Sequence, residues 1–177
     1  HALDVRFRVI DEAAFLKCFE GIQEMGEGPI SVPIWTTTPW TLPGNRAIAY
    51  GKDFDYIALR IDAVNEGSSA REGEVTLIAK ALRENLETVA GITKSTILGK
   101  FKGSELKGIH ARHPFHGEGY DFNVPLLPGD HVELETGTGL VHTAPGHGVE
   151  DFALGQEFNL EVPETVANDG VYYDHVP

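Results

Sequence analysis

Apolar and basic residues alternate over Val5 to Val9 (VRFRV), the period of a half-buried strand. From Asp11 to Met25 the spacing changes to that of a helix. Asp11 can cap it, and Phe15, Cys18, Phe19 and Ile22 form an apolar stripe that ends near Gly26. Ile30 to Trp35 predicts a strand that runs into the Thr- and Pro-rich stretch Thr36 to Asn45, where Pro39 and Pro43 interrupt regular structure. Apolar strands are expected at Tyr56 to Ile61 and Val75 to Ala79, on either side of the polar loop Asn65 to Gly73. Lys80 to Val89 predicts a short helix stopped by Gly91. Further strands are expected at Ser95–Phe101, His131–Leu134, Gly139–Thr143 and Val171–Tyr173, and a helix opened by two acids at Glu150 to Phe158. Many short strands with few helices predict a mainly β, β-barrel-like domain with attached helices.

Composition narrows the function. With 177 residues, 41% of them hydrophobic, the chain suits one compact domain. No apolar run reaches the 18 residues of a membrane span. The one cysteine, Cys18, cannot close an internal disulfide, which suits a reducing cytoplasm. Net charge is −13, unevenly spread: all 14 Lys and Arg lie at or before Arg112, and residues 113–177 hold 12 of the 27 acids. Such a surface repels phosphate, so the domain alone is a poor grip for duplex nucleic acid.

Two segments stand out from ordinary loops. Trp35-Thr36-Thr37-Thr38-Pro39-Trp40-Thr41-Leu42-Pro43-Gly44-Asn45 concentrates four hydroxyls, two indoles and an amide on a backbone stiffened by proline. A plain strand exit with Ser/Thr-type turns would also explain it. The second, Thr136-Gly137-Thr138-Gly139-Leu140-Val141-His142-Thr143-Ala144-Pro145-Gly146-His147-Gly148-Val149-Glu150-Asp151-Phe152, leads from a glycine-rich approach through a strand to a His-bearing loop and an acidic helix start. Glycine there lets another chain or a ligand approach the backbone. On the bland reading, Asp151 only complements a helix dipole and His142 is a satisfied core histidine.

WTTTPWTLPGN followed by GTGLVHTAPGHGVEDF resembles the paired signature of the editing insertion (connective peptide) of isoleucyl-tRNA synthetases, in the bacterial or organellar form. His113-Pro114-Phe115 between the motifs fits as well. The related valyl and leucyl enzymes typically read Thr-Thr-Arg-Pro at the first motif, where this chain has Thr38, and carry an acid where it has Trp40. Gly44 stands where Ala is common, and Val149-Glu150-Asp151-Phe152 where Pro-Asp-Asp-Tyr is common. The aspartate nine positions after His142 is kept, so its role passes to Asp151. HIGH-type and KMSKS-type motifs are missing, so the ATP- and Mg-using aminoacylation site of such an enzyme is not in this chain.

The resemblance implies one editing domain over residues 1–177, excised from a larger cytoplasmic synthetase and needing no cofactor or metal of its own. It would hydrolyse valine misattached to the isoleucine tRNA, and also valyl-adenylate, with water as nucleophile. The partners implied are the acceptor end of the misacylated tRNA, valine or valyl-adenylate, and the rest of the synthetase in cis, with no membrane. Thr37, Thr38 and Asn45 would orient water and stabilise the oxyanion. Asp151 would accept the substrate α-ammonium. Trp35, Thr36, Trp40 and His147 would line the substrate and adenosine side. His142 would wall out isoleucine or assist proton transfer; the sequence leaves both open. Two other classes compete. A metal-dependent hydrolase would use His142, His147 and Asp151, or His110, His113 and His116 (HARHPFH). A non-catalytic tRNA- or amino-acid-binding module would keep the pocket without turnover.

Overall fold

The computed structural model describes residues 3–10, 12–17 and 28–177. Nine strands and three helices follow in order: β1 (Leu3–Val9), α1 (Glu12–Lys17), β2 (Ile30–Thr36), β3 (Ala47–Tyr50), β4 (Asp55–Val64), β5 (Val75–Ala79), α2 (Arg83–Ala90), β6 (Ile92–Lys102), β7 (His110–Arg112), β8 (Asn123–Pro128), β9 (Leu140–Thr143) and α3 (Val149–Glu157). The helix expected from Asp11 starts on cue at Glu12, whereas Asp11 itself, Cys18, Phe19, Ile22 and Met25 lie outside the described residues. The strands form one sheet in the order β6-β4-β5-β2-β1-β7-β8-β3-β9. Neighbours are antiparallel except β2 with β5 and β3 with β8, which run parallel.

Two sequence expectations change. His131–Leu134 is irregular, because Gly129 and Asp130 open a turn there and Val132 N–H closes it on Gly129 O. Val171–Tyr173 makes only an isolated bridge, Val166 to Tyr172. Three strands were hidden for physical reasons. Every residue of β3 is buried, so it shows no alternation. β7 has three residues, and β8 (NVPLLP) carries two prolines.

The buried apolar core includes Phe7, Ile30, Val32, Ile57, Leu59 and Leu77, all fully enclosed. Tyr56 stacks on Phe101 at 6.2 Å and donates its hydroxyl to Gly139 O at 2.6 Å. Among the described residues no ladder joins the edge strands β6 and β9. Residues 137–139, just before β9, are instead tied to β5 and β2. Ala79 N–H donates to Thr138 O at 2.9 Å, and the Thr138 hydroxyl donates to Pro33 O at 2.7 Å. β2 meets β5 only at Ile30 and Ser31, which leaves its later edge open. A strand residue points N and O to the same side, so Pro33, whose O faces Thr138, loses no ladder bond by lacking an N–H. This stitch sets the second motif against the end of β2, where the first motif begins.

Gly139 is required at the stitch. Its φ is +74°, and a Cβ would lie 2.4 Å from the Ala79 Cβ. Gly139→Ala should therefore destabilise the fold by about 2 kcal/mol or more, from left-handed strain plus overpacking. Urea denaturation checks this, and a change under about 0.5 kcal/mol would contradict the stitch.

Candidate active site

The chain leaves β2 at Thr36 and turns through a short 3-10 segment, Pro39–Gly44, with Pro39 at its start. Hydroxyls build this turn from within. Thr36 Oγ1 accepts the Thr38 N–H at 3.1 Å, and the Thr41 hydroxyl donates to Thr38 O at 2.8 Å. Asn45 ends the segment as β3 begins. β9 then pairs with β3, placing His142 opposite Ile48. Ladder register therefore brings His142, about a hundred residues later in the chain, onto the threonine turn.

The ring of His142 is held at both nitrogens. Asn45 Nδ2 lies 2.7 Å from Nδ1 and 2.9 Å from Ala47 O, while Thr41 Oγ1 lies 2.9 Å from Nε2. The donors can be assigned. With the Asn45 amide reversed, its oxygen would face the Ala47 carbonyl, so the NH₂ points there and its second hydrogen goes to Nδ1. The Thr41 hydroxyl hydrogen is spent on Thr38 O, so Nε2 must carry the ring proton and donate to Thr41. A second proton on Nδ1 would face the Asn45 NH₂. Burial, aided by His113 and His147, pulls the His142 pKa down to about 4. His142 is therefore a neutral, fixed plate with no free lone pair for moving protons.

In front of this plate lies a cavity of about 490 Å³ lined by both motifs. Trp35, Thr36, Thr37, Thr38 and Trp40 line one side, and His142, His147 and Asp151 the other. Asn45 is the exception among the expected site residues. It is fully buried behind His142 and does not reach the cavity, so contact with an attacking water gives way to a positioning role. Thr41 and His131, which the sequence reading missed, also line it. Thr41 sits in the quoted motif and could have been found there; nothing in sequence signalled His131.

Asp151 lies in the first turn of α3 and accepts the Ala144 N–H on Oδ2 at 2.8 Å. Burial pushes its carboxyl up from the usual range. The Ala144 bond and the nearby His131 and His147 act the other way, and Glu150 with burial. Among the described residues it has no ion pair with Lys or Arg. A desolvated carboxylate of this kind gains most from an incoming cation. His147 Nε2 meets Thr165 Oγ1 at 2.7 Å. A Cβ at Gly44 would stand 3.0 Å from the His147 ring, so an alanine there requires that ring to give way slightly.

The three histidines of HARHPFH part company. His110 Nδ1 meets Gly108 O, His116 pairs with Asp121, and His113 is buried, its Nε2 at 2.9 Å from Leu42 O. His113 stacks on Tyr120 at 4.6 Å and braces the threonine turn from behind. Burial lowers its pKa to about 4 as well.

No protein-family model matches the chain. It is 44% identical to the isoleucine–tRNA ligase of Pseudoalteromonas atlantica over 99% of its own length, and 48% identical to that of Gluconobacter oxydans over 84%. The chain belongs to the isoleucine–tRNA ligase family. It spans only 18% and 15% of those two relatives, so it corresponds to one segment of an isoleucine–tRNA ligase. Among solved structures, it superposes on the editing domain of the Plasmodium knowlesi cytosolic leucyl-tRNA synthetase with a TM-score of 0.72 at 15% identity, covering 89% of this chain and 62% of that one. The P. falciparum counterpart gives 0.69 at 14% identity, covering 89% and 65%. At such identities the likeness establishes the fold: the isoleucine–tRNA ligase segment is folded as a synthetase editing domain.

The buried histidines carry a pH signature. Unfolded histidine titrates near 6.5, His142 and His113 near 4 when folded. Between those values the unfolded chain binds more protons, so stability falls on acidification from pH 6.5 toward 4. Asp151, with its carboxyl raised, contributes the opposite sign. His142→Leu should flatten the loss in urea denaturation across this window; an unchanged slope would contradict the neutral, buried ring.

Proposed function

We propose that this chain is the proofreading domain of a cytoplasmic isoleucine–tRNA ligase, hydrolysing the ester that joins a misattached valine to the terminal adenosine of the tRNA. The observation that carries the reading is the shared cavity. In this segment of an isoleucine–tRNA ligase, a threonine turn, a fixed histidine and a half-buried aspartate with no Lys or Arg partner among the described residues surround one volume of about 490 Å³, within the usual range for small-ligand pockets.

The chemistry follows from what each group offers. Asp151 takes the α-ammonium and so fixes the ester. Thr37 and Thr38, which line the cavity, orient water and stabilise the developing oxyanion. Trp35, Thr36, Trp40 and His147 flank the adenosine side. An aminoacyl ester is already activated, so water suffices as nucleophile, with neither covalent intermediate nor metal. His142 has both nitrogens committed and acts as a wall instead of a base. One methylene is worth about 1–3 kcal/mol in an apolar pocket, a limit for which isoleucine–tRNA ligase is itself the standard case. A second site that excludes the larger side chain by a rigid wall overcomes it. Valyl-adenylate, which carries the same ammonium, would fit the same contacts. The rest of the synthetase, with its ATP- and Mg-dependent site, would hold the tRNA body that this acidic domain repels.

Deacylation of valyl- and isoleucyl-tRNA by the parent enzyme tests this. Asp151→Ala should lower valyl-tRNA hydrolysis at least about 100-fold with aminoacylation intact, as expected for loss of a buried charged contact. His142→Ala should begin to hydrolyse isoleucyl-tRNA. Unchanged editing by Asp151→Ala would remove the aspartate from the site, and retained discrimination by His142→Ala would remove the wall.

A further inference from the structure

Exposed aromatic rings are not scattered over this molecule. Among the described residues, Trp35, Trp40, Phe152, Tyr172 and Tyr173 are exposed. Trp35 and Trp40 line the cavity, and Phe152 follows Asp151. Tyr172 donates its hydroxyl to Trp40 O at 2.8 Å, while the residue remains 44% exposed. It belongs to a small hairpin closed by the Val166–Tyr172 bridge and by the Ala167 N–H to Val171 O bond. The same hairpin is tied to the other lip of the cavity, since buried Thr165 bonds His147. It therefore presents Tyr172 at a fixed place beside Trp40.

The charges around this rim select what can lie on it. Among the described residues no Lys or Arg lines the cavity, whereas Glu133, Glu150 and Asp151 do. Arg46, close behind the threonine turn, is already paired with Glu161 and lies over the Phe122 ring. Phosphates gain little here. Nucleobases offer a π face to an aromatic ring irrespective of charge.

We propose that Tyr172 is a stacking surface for the unpaired nucleobase next to the terminal adenosine of the RNA substrate, extending outward the line begun by Trp40. This rests on the proofreading reading of the cavity and adds to it the path by which the RNA end arrives.

The test uses the full-length parent enzyme. Tyr172→Leu removes the ring, and Tyr172→Phe removes only the hydroxyl that reaches Trp40. With valyl-tRNA, Tyr172→Leu should raise the KM for deacylation about tenfold, the scale of one lost base stack. Most of that loss should be recovered by Tyr172→Phe. A substrate abasic at the neighbouring nucleotide should show the same defect with the unaltered enzyme and no further one with Tyr172→Leu. A KM unchanged by Tyr172→Leu, a Tyr172→Phe enzyme as impaired as Tyr172→Leu, or losses that multiply on the abasic substrate would each overturn the proposal. Photo-crosslinking of uncharged tRNA carrying a thiopyrimidine at that nucleotide needs no hydrolysis and separates the two readings. A crosslink to Tyr172 without deacylation upholds the stacking and removes the proofreading function. Deacylation with crosslinks elsewhere overturns the stacking alone.

Discussion

A single buried histidine couples the two halves of the site. His142 is reached by Asn45 on one ring nitrogen and Thr41 on the other, both about a hundred residues earlier in the chain. Three consecutive donations, from Asn45 to His142, from His142 to Thr41 and from Thr41 to Thr38 O, leave the ring one allowed protonation state. Such a chain is costly if broken, because each group is desolvated. It is also what makes the cavity wall rigid. The proposed exclusion of a slightly larger side chain depends on a wall that neither rotates nor recruits a proton.

Everything else in the fold supports that contact. The β3–β9 ladder sets the register that brings His142 to the turn, and the Thr138 stitch holds the approach to β9 against β2 and β5. His113, buried among aromatic rings, presses on Leu42 from behind. Asp151 lines the same cavity from the start of α3, desolvated and, among the described residues, without a Lys or Arg partner. Charge is arranged accordingly. With no Lys or Arg after Arg112, the second motif offers carboxylates, and Trp35 and Trp40 of the first add aromatic faces, a surface unsuited to a phosphate backbone.

Much of this was legible in the sequence. Alternation in VRFRV and the apolar runs at 56–61 and 75–79 marked β1, β4 and β5, the last to its bounds and the first two short of them, and the two long motifs marked both sides of the cavity. Other features had no local signal. β3 is buried on every face and β8 carries two prolines, so neither alternates. His131–Leu134 looked like a strand, but its neighbours turn it away from any ladder. Asn45 looked like a residue that meets water, and only the tertiary pairing shows it behind His142. Likewise, no periodicity reveals that Tyr172 reaches Trp40 across 132 positions. Long-range contacts decide such roles, and a one-dimensional pattern records them poorly.

The protonation state of His142 tests the account most directly. Nitrogen-15 NMR of the imidazole reports which ring nitrogen carries hydrogen. The predicted result is a neutral ring with the proton on Nε2 and Nδ1 bare, unchanged from pH 8 to about pH 5. A proton on Nδ1, or titration near the ordinary histidine value, would break the donor chain and with it the fixed wall.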